Sequence, residues 1–423
     1  MACKDGNSVR QKIISNVISS GIEKIVIMII QLIATILIIR LLPRDDYGII
    51  GIIVGYYAFI NILNISLESS IVRDHNKYTH KTHEILNNFV MFNLLKGAIF
   101  IIIALIASIV FYYAYQNNSF VFAIWSITFL TIADSLVAPF MIYATSKFNQ
   151  KLVTKISIFR YTLSLLLLLG LFIYPYVWFI AIKDFIVSVV FISIWFYVVF
   201  VKYDFKLIFK KVDYISMKES FMTYSLWSHL IGIVANILYR ADTIFLSFFV
   251  SLYSIGQYNI GLNAANYANL IPSIINYQNS VALSNTSSEK EAKKITNYFL
   301  LSSIAIGIIT IAGYWLFGDF LIYILTGEYD SEIFTYMMWI VTSVVIIKTF
   351  GAPFVAYISI KGSIKDFFMI CSLPVLILSL VSSIIYIAYE GISGLLKMKN
   401  LVAIVIILLS YSLYKKTKSK NDK

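Results

Sequence analysis

Four basic residues sit where basic residues are costly. Lys24, Arg160, Arg240 and Lys348 each lie inside a long apolar run, and a charge at the centre of a membrane helix costs about 2.5–3.5 kcal/mol on insertion scales. Such a charge is kept when it faces a water-filled space or a partner. At about 1.5 Å rise per residue, Lys24 and Lys348 fall near the midplanes of their runs. On the same scale Arg160 lies about 5 Å towards one side and Arg240 about 7 Å towards the other. Facing one lumen, the four would form a ladder of positive charge along which an anionic headgroup could move. Arginine holds phosphate oxygens bidentately, whereas lysine acts as a point charge. Paired instead across helices, the same four would only tie a bundle together.

The embedded acids are Glu23, Glu68, Asp134, Asp184 and Asp242. A carboxylate inside a membrane can carry a proton or hold a sodium ion, which makes Asp134 and Asp242 the candidates for ion coupling. Asp134 is the purest case, mid-run in FLTIADSLVAPF with no basic residue near it in sequence. Glu23 adjoins Lys24, Lys183 adjoins Asp184, and Asp242 follows Arg240 by two residues. Residues so spaced point to different faces of a helix and are not expected to pair directly. The other embedded bases, Lys96, Lys397 and Lys399, are expected to snorkel to an interface.

Residues 257–279, QYNIGLNAANYANLIPSIINYQN, are dense in Asn and Gln for a membrane run. They suggest a wet face whose Asn259, Asn263, Asn266 and Tyr267 could meet sugar hydroxyls, joined by Asn236, Tyr239 and Tyr258. Glue between helices is the alternative.

Other chemistry is missing from the sequence. It holds no GxxxxGK[ST] phosphate loop, and its four histidines, His75, His80, His83 and His229, offer no HExxH metal site; His80 and His83 are three apart but fall in a connector, where they read as solvated. Cys3 and Cys371 cannot build a disulfide framework. No catalytic residue, metal site or cofactor is expected; coupling to protons or sodium ions is the remaining option.

These side chains need a frame of membrane helices. Of 423 residues, 59% are hydrophobic and 13% charged, and the mean hydropathy is +0.82. That excludes a water-soluble enzyme, since soluble chains carry about a quarter charged residues. Runs of spanning length fall at 13–41, 47–69, 86–113, 118–145, 153–174, 177–201, 222–249, 253–283, 295–318, 333–360, 367–388 and 391–414. The fold class is therefore all-α integral membrane, with about twelve transmembrane helices. The polar start lacks a cleavage site, so the first helix reads as an uncleaved anchor.

Lys and Arg orient the chain. Alternate connectors and the two tails carry 24 of them, while the opposite connectors carry only Arg40 and Arg44. The positive-inside rule then puts both termini in the cytoplasm. The net charge of +12 is spread over these short connectors rather than gathered on one face, so no nucleic acid is expected. The longest basic connector divides the chain. Residues 1–201 form an N-terminal six-helix lobe, 202–221 a cytoplasmic linker, 222–414 a C-terminal six-helix lobe, and 415–423 a basic cytoplasmic tail. Gly48 and Gly256, each opening the second run of its half, hint at a duplication.

Three stretches carry a resemblance to a known family. IIRLLPRDDYGIIGI (38–52), RADTIFLSFFVSLYSIGQYNIGLNAA (240–265) and YEGISG (389–394) resemble junctions in bacterial polysaccharide flippases. With twelve runs and internal termini, the chain resembles the Wzx-type O-antigen or capsule repeat-unit flippases of the MOP superfamily, which also holds the MATE drug exporters. Lipid II flippases of that superfamily commonly have fourteen spans, and this chain has room for twelve. The resemblance implies two lobes in a V around a central cavity, in the bacterial cytoplasmic (inner) membrane. It implies an undecaprenyl-pyrophosphate-linked oligosaccharide as substrate, moved from the cytoplasmic to the periplasmic leaflet. Membrane lipids and the polymerase and chain-length proteins of the same pathway are the other implied partners. Lys24, Arg160, Arg240 and Lys348 would then compensate the pyrophosphate. The competing readings are a multidrug antiporter, which should favour acidic cavities, and a membrane polymerase or acyltransferase, which the short outer connectors disfavour.

Overall fold

The computed structural model describes residues 3–63, 82–146, 149–203, 205–208, 226–284, 286 and 288–421. Glu68, Arg73, Lys77, Lys81, Lys147, Lys210, Lys211, Lys218, Lys423, His75, His80, His83 and most of the linker 202–221 lie outside the described residues. Among the described residues there is no strand.

Among the described residues twelve helical runs follow one another, in the order of the twelve apolar runs. They are α1 (Cys3–Leu41), α2 (Arg44–Ile60), α3 (Thr82–Tyr115), α4 (Asn118–Ser146), α5 (Gln150–Leu168) and α6 (Val177–Lys202). The second half begins with α7 (Leu226–Arg240, then Asp242–Leu246) and α8 (Leu252–Asn266, then Leu270–Ser284 after a tight turn). It continues with α9 (Glu289–Thr326) and α10 (Ser331–Ile346, then Ala352–Lys361 after a π turn). A second π turn, Phe368–Ser372, leads into Leu373–Asn421, which breaks at Gly391. The part before the break is α11 and the part after it α12.

That break is a glycine's work. Gly391 has φ 60° and ψ −134°, a region open essentially to glycine alone. Polar caps set other ends: Asp330 Oδ1 accepts from the amides of Glu332 at 2.9 Å and Ile333 at 3.0 Å, starting α10.

The chain forms two compact units. The first takes Met1–Asp46 and Leu63–Leu226, the second Tyr47–Ile62 and Trp227–Lys423. This differs from the expected six-plus-six division in one element, since nearly all of α2 packs with the second unit. The physical reason is a row of small residues. A Cβ on Gly48 would strike the Leu252 carbonyl, one on Gly51 the Asn259 amide, and one on Gly55 would lie 2.6 Å from Thr243 Oγ1. Glycine lets α2 lie against α7 and α8 at backbone distance. An apolar run shows that a helix exists but not which neighbour it takes.

In the first unit α4 packs on α3 and α6, and α1 packs on α5. Leu86, Val137, Phe140, Phe191 and Trp195 fill its core. The start of the linker belongs here too. Asn87 Nδ2 donates to the Ile208 carbonyl at 2.7 Å, and the Ile208 amide returns a 2.8 Å bond to Asn87 Oδ1. In the second unit α8 and α9 pack on α10, and Phe354, Tyr357, Cys371 and Tyr414 build a core around them. Large apolar side chains such as Ile102, Ile106 and Ile109 on α3, and Ile308, Trp315 and Phe317 on α9, are exposed. A membrane helix turns such residues to lipid.

Candidate functional site

In the first unit the polar centre joins α1, α4 and α5. Arg160 forms an ion pair with Asp134, the residue read from sequence as having no base nearby. This corrects that expectation: the partner comes from the next helix, so sequence proximity could not show it. The Arg160 guanidinium lies 4.3 Å from the centre of the Phe191 ring, a cation–π contact that covers one face. Its side chain is 11% exposed, whereas that of Asp134 is 59% exposed. An exposed carboxylate mid-helix is tolerated at a wet surface and not against acyl chains. Nearby, Glu23 Oε2 accepts from Thr154 Oγ1 at 3.0 Å and Gln150 Nε2 at 3.1 Å. Glu23, Asp134 and Arg160 all lie within electrostatic reach of Tyr161. Lys24, beside Glu23, is exposed and makes no ion pair among the described residues.

Deeper in the same unit, Lys183 Nζ lies 2.5 Å from Asp184 Oδ1. Sequence neighbours were not expected to pair, and here they do. Burial is the reason: enclosed between α4, α5 and α6, the long lysine folds back onto the carboxylate beside it. Ser126 donates to Asp184, and Lys183 donates to Ser164 Oγ at 3.3 Å. Every charge is satisfied internally, which makes this an interhelical tie.

The second unit holds a different centre. Asp242, 6% exposed, forms an ion pair with Lys399 of α12. It also accepts a 2.8 Å hydrogen bond from Tyr258 Oη. Lys399 therefore does not snorkel as expected; a buried carboxylate holds it inside. Tyr258, read as a possible sugar contact, is fully buried and belongs to this network. Arg240 ends the long part of α7 and is exposed. It lies within electrostatic reach of Tyr47 and Asp242, and pairs with no carboxylate among the described residues.

Lys348 sits in the π turn Ile347–Gly351 of α10. In that turn the Ala352 amide bonds back to Ile347, which leaves the next carbonyl without its usual helical donor. Asn276 Nδ2 supplies one to Lys348 O at 3.3 Å. The Lys348 side chain is half-buried and makes no ion pair among the described residues. Such π turns recur at functional sites.

The asparagines divide. Asn263 Nδ2 donates to Tyr47 Oη at 2.5 Å, and Asn259 is buried against Gly51. In this conformation both hold α8 on α2, the glue alternative. Asn266 and Tyr267 are half-buried where α8 tightens into its turn. Sequence reasoning missed the roles of Lys399 and Phe191. A lysine late in the chain and one phenylalanine among 31 carry no signal of their partners.

A sequence profile of the family described as polysaccharide biosynthesis protein matches residues 13–291, well over half of the chain. The chain belongs to that family. Among curated proteins none matches this sequence. Solved structures supply the fold. An inward-facing multidrug resistance MATE family transporter of the MOP superfamily aligns with a TM-score of 0.65 at 14% identity, over 93% of this chain and 96% of its own. The lipid II flippase MurJ, in an inward closed conformation, aligns with a TM-score of 0.63 at 16% identity, over 96% and 89%. A MOP superfamily transporter from Pyrococcus furiosus, described by a reversed polarity of its binding pocket, aligns with a TM-score of 0.59 at 15% identity, over 95% and 96%. This member of the polysaccharide biosynthesis family thus has the MATE-like, all-helical fold of membrane transporters and flippases.

Proposed function

We propose that the chain is a flippase for undecaprenyl-pyrophosphate-linked oligosaccharide repeat units of O-antigen or capsule type, working by alternating access. It moves them from the cytoplasmic to the periplasmic leaflet of the bacterial inner membrane, with both of its own termini in the cytoplasm. The observation that carries this reading is an imbalance of embedded charge. Asp134, Asp184 and Asp242 are each neutralised by a base, and Glu23 accepts two hydrogen bonds. Lys24, Arg240 and Lys348 have no such counter-ion among the described residues. Uncompensated cations in membrane helices suit a ligand that brings its own negative charge, as a pyrophosphate does.

In this mechanism Arg240 grips phosphate oxygens bidentately, Lys24 and Lys348 act as point charges, and Arg160 is released to the anion when Asp134 takes a proton or a sodium ion. Asn266 and Tyr267 meet the sugars, and the lipid tail stays in the bilayer. The protein is a transporter and not an enzyme. The shared fold suits a lipid flippase and a drug exporter alike; the pairing of the embedded carboxylates favours the flippase, because a cationic drug needs free carboxylates.

Deleting the gene and analysing lipid-linked intermediates tests the reading. Single repeat units should accumulate on the cytoplasmic leaflet while surface polysaccharide disappears. Normal surface polysaccharide with raised sensitivity to cationic drugs would replace this reading with the antiporter.

A further inference from the structure

Asp242 has two cations within reach and pairs with the more distant in sequence. Lys399 of α12 holds it, with Tyr258 Oη on the same carboxylate oxygen at 2.8 Å. Arg240, only two residues before Asp242, stays exposed beside Tyr47. The break at Ala241 separates them: Arg240 closes one helical piece and Asp242 opens the next. Thr243 Oγ1 fixes the joint by donating to Gly51 O at 2.8 Å and to Arg240 O at 3.3 Å.

A buried carboxylate demands a counter-charge. With Lys399 gone, the nearest cation is the Arg240 guanidinium, whose long side chain can turn inward. Arginine committed to Asp242 is lost to an outside anion. We infer that Lys399 is a positioning residue for the anion site. By neutralising Asp242 from α12, it keeps Arg240 free to receive a phosphate oxygen of the substrate. Lys399 itself, 14% exposed and capped by the Tyr258 ring, does not touch the ligand. This inference rests on the reading of Arg240 as a phosphate-gripping residue.

The role predicts an asymmetry that an ordinary structural ion pair would not produce. The experiment measures the dissociation constant of undecaprenyl pyrophosphate for the purified full-length protein in lipid nanodiscs. Arg240→Ala should weaken binding about tenfold or more, the loss of a charged hydrogen-bond partner. Lys399→Met should weaken it by a similar factor, whereas Asp242→Asn, which leaves Arg240 no buried carboxylate to turn to, should weaken it less. The double variant Asp242→Asn/Lys399→Met contains no unpaired buried charge and is the safeguard against misfolding. It should regain wild-type affinity and lose it again when Arg240→Ala is added.

Equal losses in Asp242→Asn and Lys399→Met would overturn the inference and leave a structural pair. So would wild-type binding by Lys399→Met while Arg240→Ala is impaired, or failure of the double variant to bind. Unchanged binding by Arg240→Ala marks the other failure, that of the phosphate-gripping role itself, and removes the inference with it.

Discussion

Arg160 reaches from α5 to Asp134 on α4, and the ring of Phe191 on α6 lies against its guanidinium. One cation thereby links three helices of the first unit. Its carboxylate partner is the more exposed of the two, 59% against 11%.

The first prediction follows from that exposure. Arg160→Ala leaves a lone carboxylate in mid-span and should lower the unfolding temperature in detergent by a few degrees. Arg160→Ala/Asp134→Ala removes both charges and should restore that temperature, yet export should stay impaired because the anion ladder has lost a rung. Thermal unfolding and surface polysaccharide measured on the same variants separate the two effects. Full export by the double variant would reduce the pair to a structural tie.

A second prediction concerns Gly48. A methyl there meets the backbone carbonyl of Leu252, whereas one on Gly51 meets the movable amide of Asn259. Gly48→Ala should therefore cost about 1–3 kcal/mol, as overpacking does. Gly51→Ala should cost less, since Asn259 can turn aside. Unfolding temperatures rank the two, and a greater loss in Gly51→Ala would contradict the packing described for α2.

Much of this architecture was legible in the sequence, for physical reasons. A membrane helix must be apolar along its whole length, so each run announced a helix, including the last pair parted at Gly391. Gly48 and Gly256 were legible as matching positions, and they meet: a Cβ on Gly48 would lie 3.2 Å from the Gly256 amide nitrogen. The site was legible only in its ingredients. Hydropathy shows that Asp242 is embedded but carries nothing about Lys399, which arrives from a helix far along the chain. Likewise α2 read as a helix of the first half, because periodicity does not record which surface a row of glycines will meet.

Orientation gives the third prediction. Reporters fused after Arg73, Lys210 and Lys416 should be cytoplasmic, and those near Gln116 and Tyr329 periplasmic, as the distribution of Lys and Arg requires. Gln116 lies at the α3–α4 turn and Tyr329 at the α9–α10 turn. A periplasmic reporter at Lys210 would overturn the arrangement of six spans on either side of the linker.

The central claim is that unpaired cations carry an anionic lipid headgroup across the membrane. Its most direct test is translocation of an undecaprenyl-pyrophosphate-linked oligosaccharide in proteoliposomes, comparing wild type with Arg240→Ala/Lys348→Ala at equal reconstituted protein. The wild type should move the lipid, the double variant should be slower by about tenfold or more given two lost charged contacts, and neither should transport a cationic dye. Equal lipid translocation by both proteins, or dye export by the wild type, would contradict the account.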